Sequence, residues 1–197
     1  MIKAKKADKK KRILKAATKV FAEYGFYNAK ISQIAKLAKI ADGTVYLYFK
    51  SKDDLLIHLF EEEMKSIVAF HKSEIDQQKS GQNKLLKFAE NHAQLCEKNQ
   101  DLAALFQFEI RQSNKFMKNY QHVEFANYIS LIAEMIEFGQ QSGEFNSKIN
   151  VNMAKHSIFG AIDEISTHWI LLPVAKRFDL KKSLLAFMQI FVNGLKS

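Results

Sequence analysis

The stretch ADGTVYLYFKSKDDLL, residues 41–56, places Tyr46, Tyr48 and Phe49 within four positions, just behind Gly43 and Thr44. Asp42 can cap a short helix running through Phe49. On such a helix Val45 and Phe49 stand at i, i+4 and share the inward face, which leaves Tyr46, Leu47 and Tyr48 facing out. Ser51 followed by Asp54 resembles an acidic capping box, and Asp53 suits a helix N-terminus. A long helix therefore opens there, and Leu55, Leu56, Leu59, Phe60, Met64, Ile67, Val68 and His71 keep one apolar face to near Gln78.

Working outward, Ile31, Ile34, Ala35 and Ala38 mark a short amphipathic helix just upstream. Before it, Ile13, Ala16, Ala17, Val20, Phe21 and Tyr24 mark a helix over residues 8–24, with Gly25 as a stop. Residues 1–7 (MIKAKKA) lack periodicity and read as a flexible basic arm. Downstream, helical periodicity covers residues 83–97, 100–112, 115–141, 151–171 and 179–195, broken by the turns around Gly81, Gly143 and Pro173. The expected fold class is all-α, with about nine helices: an N-terminal helix-turn-helix domain and a C-terminal helical domain.

Composition agrees. One proline and seven glycines in 197 residues are too few for most β-rich folds. The single cysteine, Cys96, rules out an internal disulfide, suits a reducing cytoplasm and reads as a small core residue. No stretch approaches the ~18 apolar residues of a membrane span, and the N-terminus lacks a signal-peptide core. The formal net charge is +9. Residues 1–55 hold 14 Lys/Arg and 5 Asp/Glu, and residues 56–197 hold 16 of each, so the whole excess lies in the first quarter. Lys9, Lys10, Lys11, Arg12, Lys15 and Lys19 continue the excess through a patterned helix. That distribution fits a polyanion-binding module attached to a neutral domain.

Two short helices in tandem, the second opening with DGT, have the anatomy of a helix-turn-helix. The second enters the major groove N-terminus first, so first-turn side chains reach base edges. Gly43 allows close approach of the backbone, and Thr44 can meet a phosphate or a thymine methyl.

Together with ISQIAKLA before it and ILKAATKVFAEYGF further upstream, residues 41–56 closely resemble the N-terminal domain of TetR-family transcriptional repressors. The pattern G-x-x-Y-x-Y-F-x-x-K-x-x-L carries the likeness, which covers residues 10–60 without a gap. The resemblance implies phosphate contacts from Tyr46 and Lys52. It implies recognition-helix contacts at Thr44, Leu47 and Tyr48, and further contacts from Lys30, Ser32 and Gln33 at the start of the positioning helix. FEIRQSN (108–114), QQSGEF (140–145) and IFGAIDEISTHWIL (158–171) are similar to the Bacillus-type fatty-acid-degradation repressors, a likeness implying release from DNA on binding a long-chain acyl-CoA.

Candidate ligand-facing residues are Phe106, Glu109, Arg111, Lys115, Lys118, Phe159 and Asp163. Glu109 shares a helical face with Leu102, Leu105 and Phe106. Arg111 can pair with Asp163 or Glu164, either as an ordinary interhelical ion pair or as a bistable contact beside a cavity. Arg111, Lys115 and Lys118, at i, i+4 and i+7, can receive phosphates or form a plain surface cluster. Phe88, Phe106, Phe108, Phe138 and Phe159 suit an apolar tunnel. The six histidines lack metal spacing, and neither a phosphate loop nor a nucleophile elbow is present.

The sequence thus predicts a cytoplasmic, non-enzymatic repressor with no metal and no cofactor. Its partners are a double-stranded, palindromic DNA operator, a second copy of the chain through the last two helices, and a small lipophilic effector, with no membrane. Residues 1–50 form the DNA-binding domain, and 51–197 the ligand-binding and dimerisation domain. The competing effector is a hydrophobic cation. The competing class is a basic membrane-surface protein, against which the glycine-led second short helix argues.

Overall fold

In the computed structural model, the chain is described over residues 2–109 and 123–196, with side chains over 7–108 and 123–196. Among the described residues there are nine α-helices and no strand. They are α1 (Ile2–Asn28), α2 (Ile31–Leu37), α3 (Asp42–Tyr46), α4 (Lys52–Asp76), α5 (Gly81–Lys98), α6 (Gln100–Ala104), α7 (Val123–Gln141), α8 (Val151–Leu171) and α9 (Leu180–Leu195). A π-helical turn, Leu105–Glu109, extends α6, and a 3₁₀ turn, Val174–Lys176, joins α8 to α9. The all-α class read from the sequence is the one observed.

Some boundaries differ from expectation. The basic arm is helical from Ile2, since Ala and Lys are strong helix formers and need no apolar stripe to be so. Gly25 leaves helical geometry (φ 73, ψ 155) and breaks α1 there, as expected, and a short helical piece follows it to Asn28. Asp42 does not cap α3: Ala41 holds the cap position, and Asp42 sits in the first turn, where its carboxylate faces the positive end of the helix. The beginning of α4 follows the expected box more closely. Ser51 Oγ accepts from the Asp54 amide (3.1 Å), and Asp54 Oδ2 accepts from the Lys50 amide (2.7 Å).

The helices gather into two compact units. The first comprises residues 1–63 and 101–121. Its core is the α1 stripe Ile13, Ala16, Ala17, Val20 and Phe21, closed by Ile34, Ala35, Val45, Phe49, Leu55, Leu56 and Leu59, all buried. Burying each large side chain is worth about 1.5–3 kcal/mol.

The second unit comprises residues 64–100 and 122–197. Cys96 is a buried free thiol in it, as expected. The segment Ser142–Phe145 closes this unit at the start of α5. Gly143 takes a left-handed conformation (φ 76), and this turns Glu144 onto the first α5 amides. Its two carboxylate oxygens accept from Gly81 N (2.6 Å) and Gln82 N (3.0 Å), a charged cap on a helix N-terminus. Phe145 lies buried against two glycines: a Cβ added at Gly139 would stand 2.1 Å from its ring, and one at Gly81 2.8 Å.

Gly139→Ala therefore cannot be accommodated without moving Phe145. We expect it to lower stability by about 1–3 kcal/mol, despite alanine's better helix propensity. Urea unfolding checks this: a variant as stable as the parent would mean that the ring has somewhere else to go.

Candidate nucleic-acid interface and the polar interior of the second unit

The first unit sorts the aromatic residues of 41–56 as their spacing requires. Val45 and Phe49 are buried, whereas Tyr46 is 56% exposed and Leu47 77% exposed. Thr44 and Tyr48 are half-buried. Phe49 is held edge-on against His58 (5.4 Å), and His58 Nδ1 bonds the Asp54 carbonyl (2.8 Å). Gly43 has an ordinary backbone, and a Cβ there would meet open space. Its bare backbone thus adds room outside the chain rather than solving a strain within it.

At the start of α2, Lys30 and Ser32 are exposed, and Gln33 Oε1 accepts from the Lys30 amide (2.7 Å). That bond fixes Gln33 across the first turn. Lys52 is engaged inside the unit. Its ammonium donates to the carbonyls of Tyr27 (2.9 Å) and Ala29 (3.0 Å), and lies 4.8 Å from the Phe26 ring centre. Two of its three N–H groups thus hold the α1–α2 turn, and one is left over. Lys10, from the basic patch, pairs with Glu62 (2.9 Å).

The expected ligand-facing residues fall in both units. Phe106 belongs to the first, 4.9 Å from Phe60. Phe159 and Asp163 belong to the second, one turn apart on α8, with Phe159 edge-on to Phe125 (5.3 Å). The side chains of Glu109, Arg111, Lys115 and Lys118 lie outside the described residues, and with them the expected pairing of Arg111 with Asp163 or Glu164. Phe88 is fully buried and packs on His71 (5.2 Å) and Tyr128 (5.1 Å).

A buried polar chain crosses the second unit. His71 Nδ1 lies 3.0 Å from the Ile67 carbonyl, and Tyr128 Oη lies 3.3 Å from His71 Nε2. Tyr128 Oη also lies 2.7 Å from His92 Nδ1, and His92 Nε2 lies 3.2 Å from Ser166 Oγ. One proton arrangement satisfies every contact. The carbonyl only accepts, so His71 carries its proton on Nδ1 and accepts at Nε2 from the Tyr128 hydroxyl. The tyrosine oxygen then accepts from His92 Nδ1–H, and His92 Nε2 accepts from the Ser166 hydroxyl. Burial keeps both rings neutral: it pushes the His71 pKa down to about 4 and that of His92 to about 3. Burial also raises the Tyr128 hydroxyl well above its usual range and the Cys96 thiol to about 12.

Among the described residues no group of three or more His, Cys, Asp or Glu could hold a metal ion, and no helix is long and apolar enough to cross a membrane. A short helix and the turn after it, pinned by Val45 and Phe49 and exposing Tyr46 and Leu47 beside a basic α1, have the anatomy of a helix-turn-helix regulator.

Residues 13–59 match the tetR family of bacterial regulatory proteins, and residues 60–194 match the C-terminal region of YsiA-like proteins. The chain belongs to the tetR family of transcriptional regulators. It is 34% identical over 190 residues to the fatty acid metabolism regulator protein of Bacillus subtilis, covering 96% of this chain and 97% of that one. Its fold matches the fatty acid degradation regulator FadR of Bacillus halodurans with a TM-score of 0.86 and 33% identity, over 94% of this chain and 99% of that one. The structure of FadR from Bacillus subtilis in complex with stearoyl-CoA matches with a TM-score of 0.86 and 34% identity, over 93% of this chain and 97% of that one.

The neutral histidines give the fold an acid limit. As pH falls through 6.5, the unfolded chain takes up protons that His71 and His92 refuse while folded. Stability is therefore lost from about pH 6.5 downward, until His71 titrates in the native state near 4 and His92 near 3. The slope is up to about 1.4 kcal/mol per pH unit for each ring. Urea midpoints measured from pH 7.5 to 5 should decline below 6.5, and should decline less in His71→Asn. A flat profile would mean that the rings are protonated in the folded protein.

Proposed function

We propose that the chain is a non-enzymatic, cytoplasmic repressor that binds a palindromic double-stranded operator as a homodimer and releases it on binding a long-chain acyl-CoA. Residues 1–50 serve as the DNA-binding domain, and residues 51–197 as the ligand-binding and dimerisation domain. The observation that carries the DNA half is the sorting of α3 and the turn after it: Val45 and Phe49 inward, with Tyr46 and Leu47 outward. Thr44, Leu47 and Tyr48 meet the bases, with Gly43 letting the backbone close in. Tyr46, Lys30, Ser32, Gln33 and the third N–H of Lys52 meet the phosphates and the groove edge.

The dimer forms through α8 and α9. Met153, Leu171 and Ile190 are exposed there, and a Cβ at Gly160 or Gly194 would meet nothing within 4 Å, which leaves room for close helix approach. Ile190 is 73% exposed, so Ile190→Glu should yield a folded monomer whose melting temperature is lower than the dimer's and no longer depends on protein concentration. Sedimentation decides this: a dimer that survives the charge has its interface elsewhere.

The effector half is supported by the stearoyl-CoA complex of a relative matching along nearly the whole chain. Phe138 and Phe159, both in the second unit, supply aromatic surface, and each buried methylene of the acyl chain is worth ~0.8 kcal/mol. Arg111, Lys115 and Lys118 are our candidates for the CoA phosphates, with Glu109 and Asp163 as polar neighbours of the ligand. A hundredfold loss of operator affinity requires the ligand to prefer the released conformation by ~3 kcal/mol. Helix α4, unbroken from Lys52 to Asp76, is the covalent route for that preference.

Operator complexes should be titrated separately with stearoyl-CoA, free stearate, CoA and a lipophilic cation. Dissociation by the acyl-CoA alone, blunted in Arg111→Ala, is the expected result. Dissociation by the cation alone would move the chain to the competing effector class.

A further inference from the structure

The turn between α2 and α3 sets the angle at which α3 is presented. Its hydrogen bonds follow a Schellman pattern: Lys39 N donates to Lys36 O (3.1 Å) and Ile40 N to Ala35 O (3.0 Å). That pattern places Lys39 in the left-handed region, at φ 55, the one non-glycine residue with positive φ among the described residues. Glycine is the usual occupant, because a Cβ is strained there. The Schellman bonds satisfy the carbonyls of Ala35 and Lys36, leaving those of Ala38 and Lys39 beyond them. The α3 side contributes no side-chain cap, since its cap residue is Ala41.

Arg12, from α1, fills this gap. Its Nη2 donates to the Ala38 carbonyl and also to the Lys39 carbonyl (3.3 Å). A guanidinium at the C-terminal end of a helix also meets the negative end of its dipole. We propose that Arg12 is a positioning residue that clamps the strained α2–α3 turn and so holds α3 at its DNA-reading angle, rather than a phosphate-binding member of the basic patch. The proposal rests on the DNA-binding reading above, but the clamp itself can be measured without DNA.

Three variants decide it: Arg12→Gln, Lys39→Gly and the double. In the free protein, amide exchange at Ile40 should speed up about tenfold or more in Arg12→Gln, as the turn opens. In the Lys39→Gly background, where the turn is unstrained, the same change should have little effect.

The second readout uses a duplex selected by the wild-type protein from a random pool. Arg12→Gln should weaken its binding about tenfold, through a smaller population of the competent turn, with the salt slope unchanged. Binding to random duplex should fall far less. In the Lys39→Gly background most of the loss should vanish, a coupling that a double-mutant cycle reads directly.

Unchanged exchange at Ile40 in Arg12→Gln overturns the proposal. A salt slope shallower by about 0.9, with equal losses on both duplexes and in both backgrounds, also overturns it and makes Arg12 a phosphate contact. A wild-type protein that selects no duplex would sink the DNA-binding reading, while the exchange result would still decide the clamp.

Discussion

A helix of five residues does not persist in water by itself: nucleation costs more than a single turn returns. Helix α3 is five residues long and α2 seven, so both exist only as long as something else holds them. Val45 and Phe49 anchor the first, and Ile34 and Ala35 the second, to the buried stripe of α1. Backbone carbonyls on either side of α2 are taken by cations from two other helices, Lys52 before it and Arg12 after it. The outward face of α3 is free to expose Tyr46, with Leu47 just after it, because its stability is supplied from behind. A reading surface and its support thus share one short segment, on opposite sides.

The second unit meets the opposite demand, a large apolar interior that contains polar groups. An unsatisfied buried polar atom costs about 1–3 kcal/mol, so the chain through Ser166, His92, Tyr128 and His71 is tolerable only when complete. Its hydrogen bonds run in one sense from the Ser166 hydroxyl to the Ile67 carbonyl, and they join α8, α5, α7 and α4. Apolar contacts alone would allow these helices to slide, whereas a directional chain ties them to one register.

Much of this was legible in the sequence, for a definite reason. Helix periodicity is a local property, so Val45 with Phe49, and the α1 stripe from Ile13 to Phe21, announced their faces without any partner in view. What escaped was direction over distance. Lysine and arginine counts report charge but not aim, and the carbonyls served by Arg12 and Lys52 lie 26–27 and 23–25 residues away. The polar chain joins residues separated by 57, 36 and 74 positions. One hint was present: His71 falls on the apolar face of α4, where a lone imidazole needs a buried partner. The helical start of α1 was missed because an amphipathic stripe was required of a segment whose residues form helix by propensity alone.

The way the two units interleave bears on how the protein is made. The first unit draws on residues 101–121, and the second on 64–100 and 122–197. The amides at the start of α5 are capped by Glu144, 63 residues downstream of Gly81. During synthesis, therefore, neither unit can complete its packing when its own helices first emerge from the ribosome. The first unit must wait for residues 101–109, and α5 must wait for the loop before α8. Nascent chains truncated near residue 60 would already hold α3 with the α1 stripe behind it, but not the later contacts from residues 101–109. The second unit thus closes late in synthesis, and its assembly follows long-range contacts more than the order of translation.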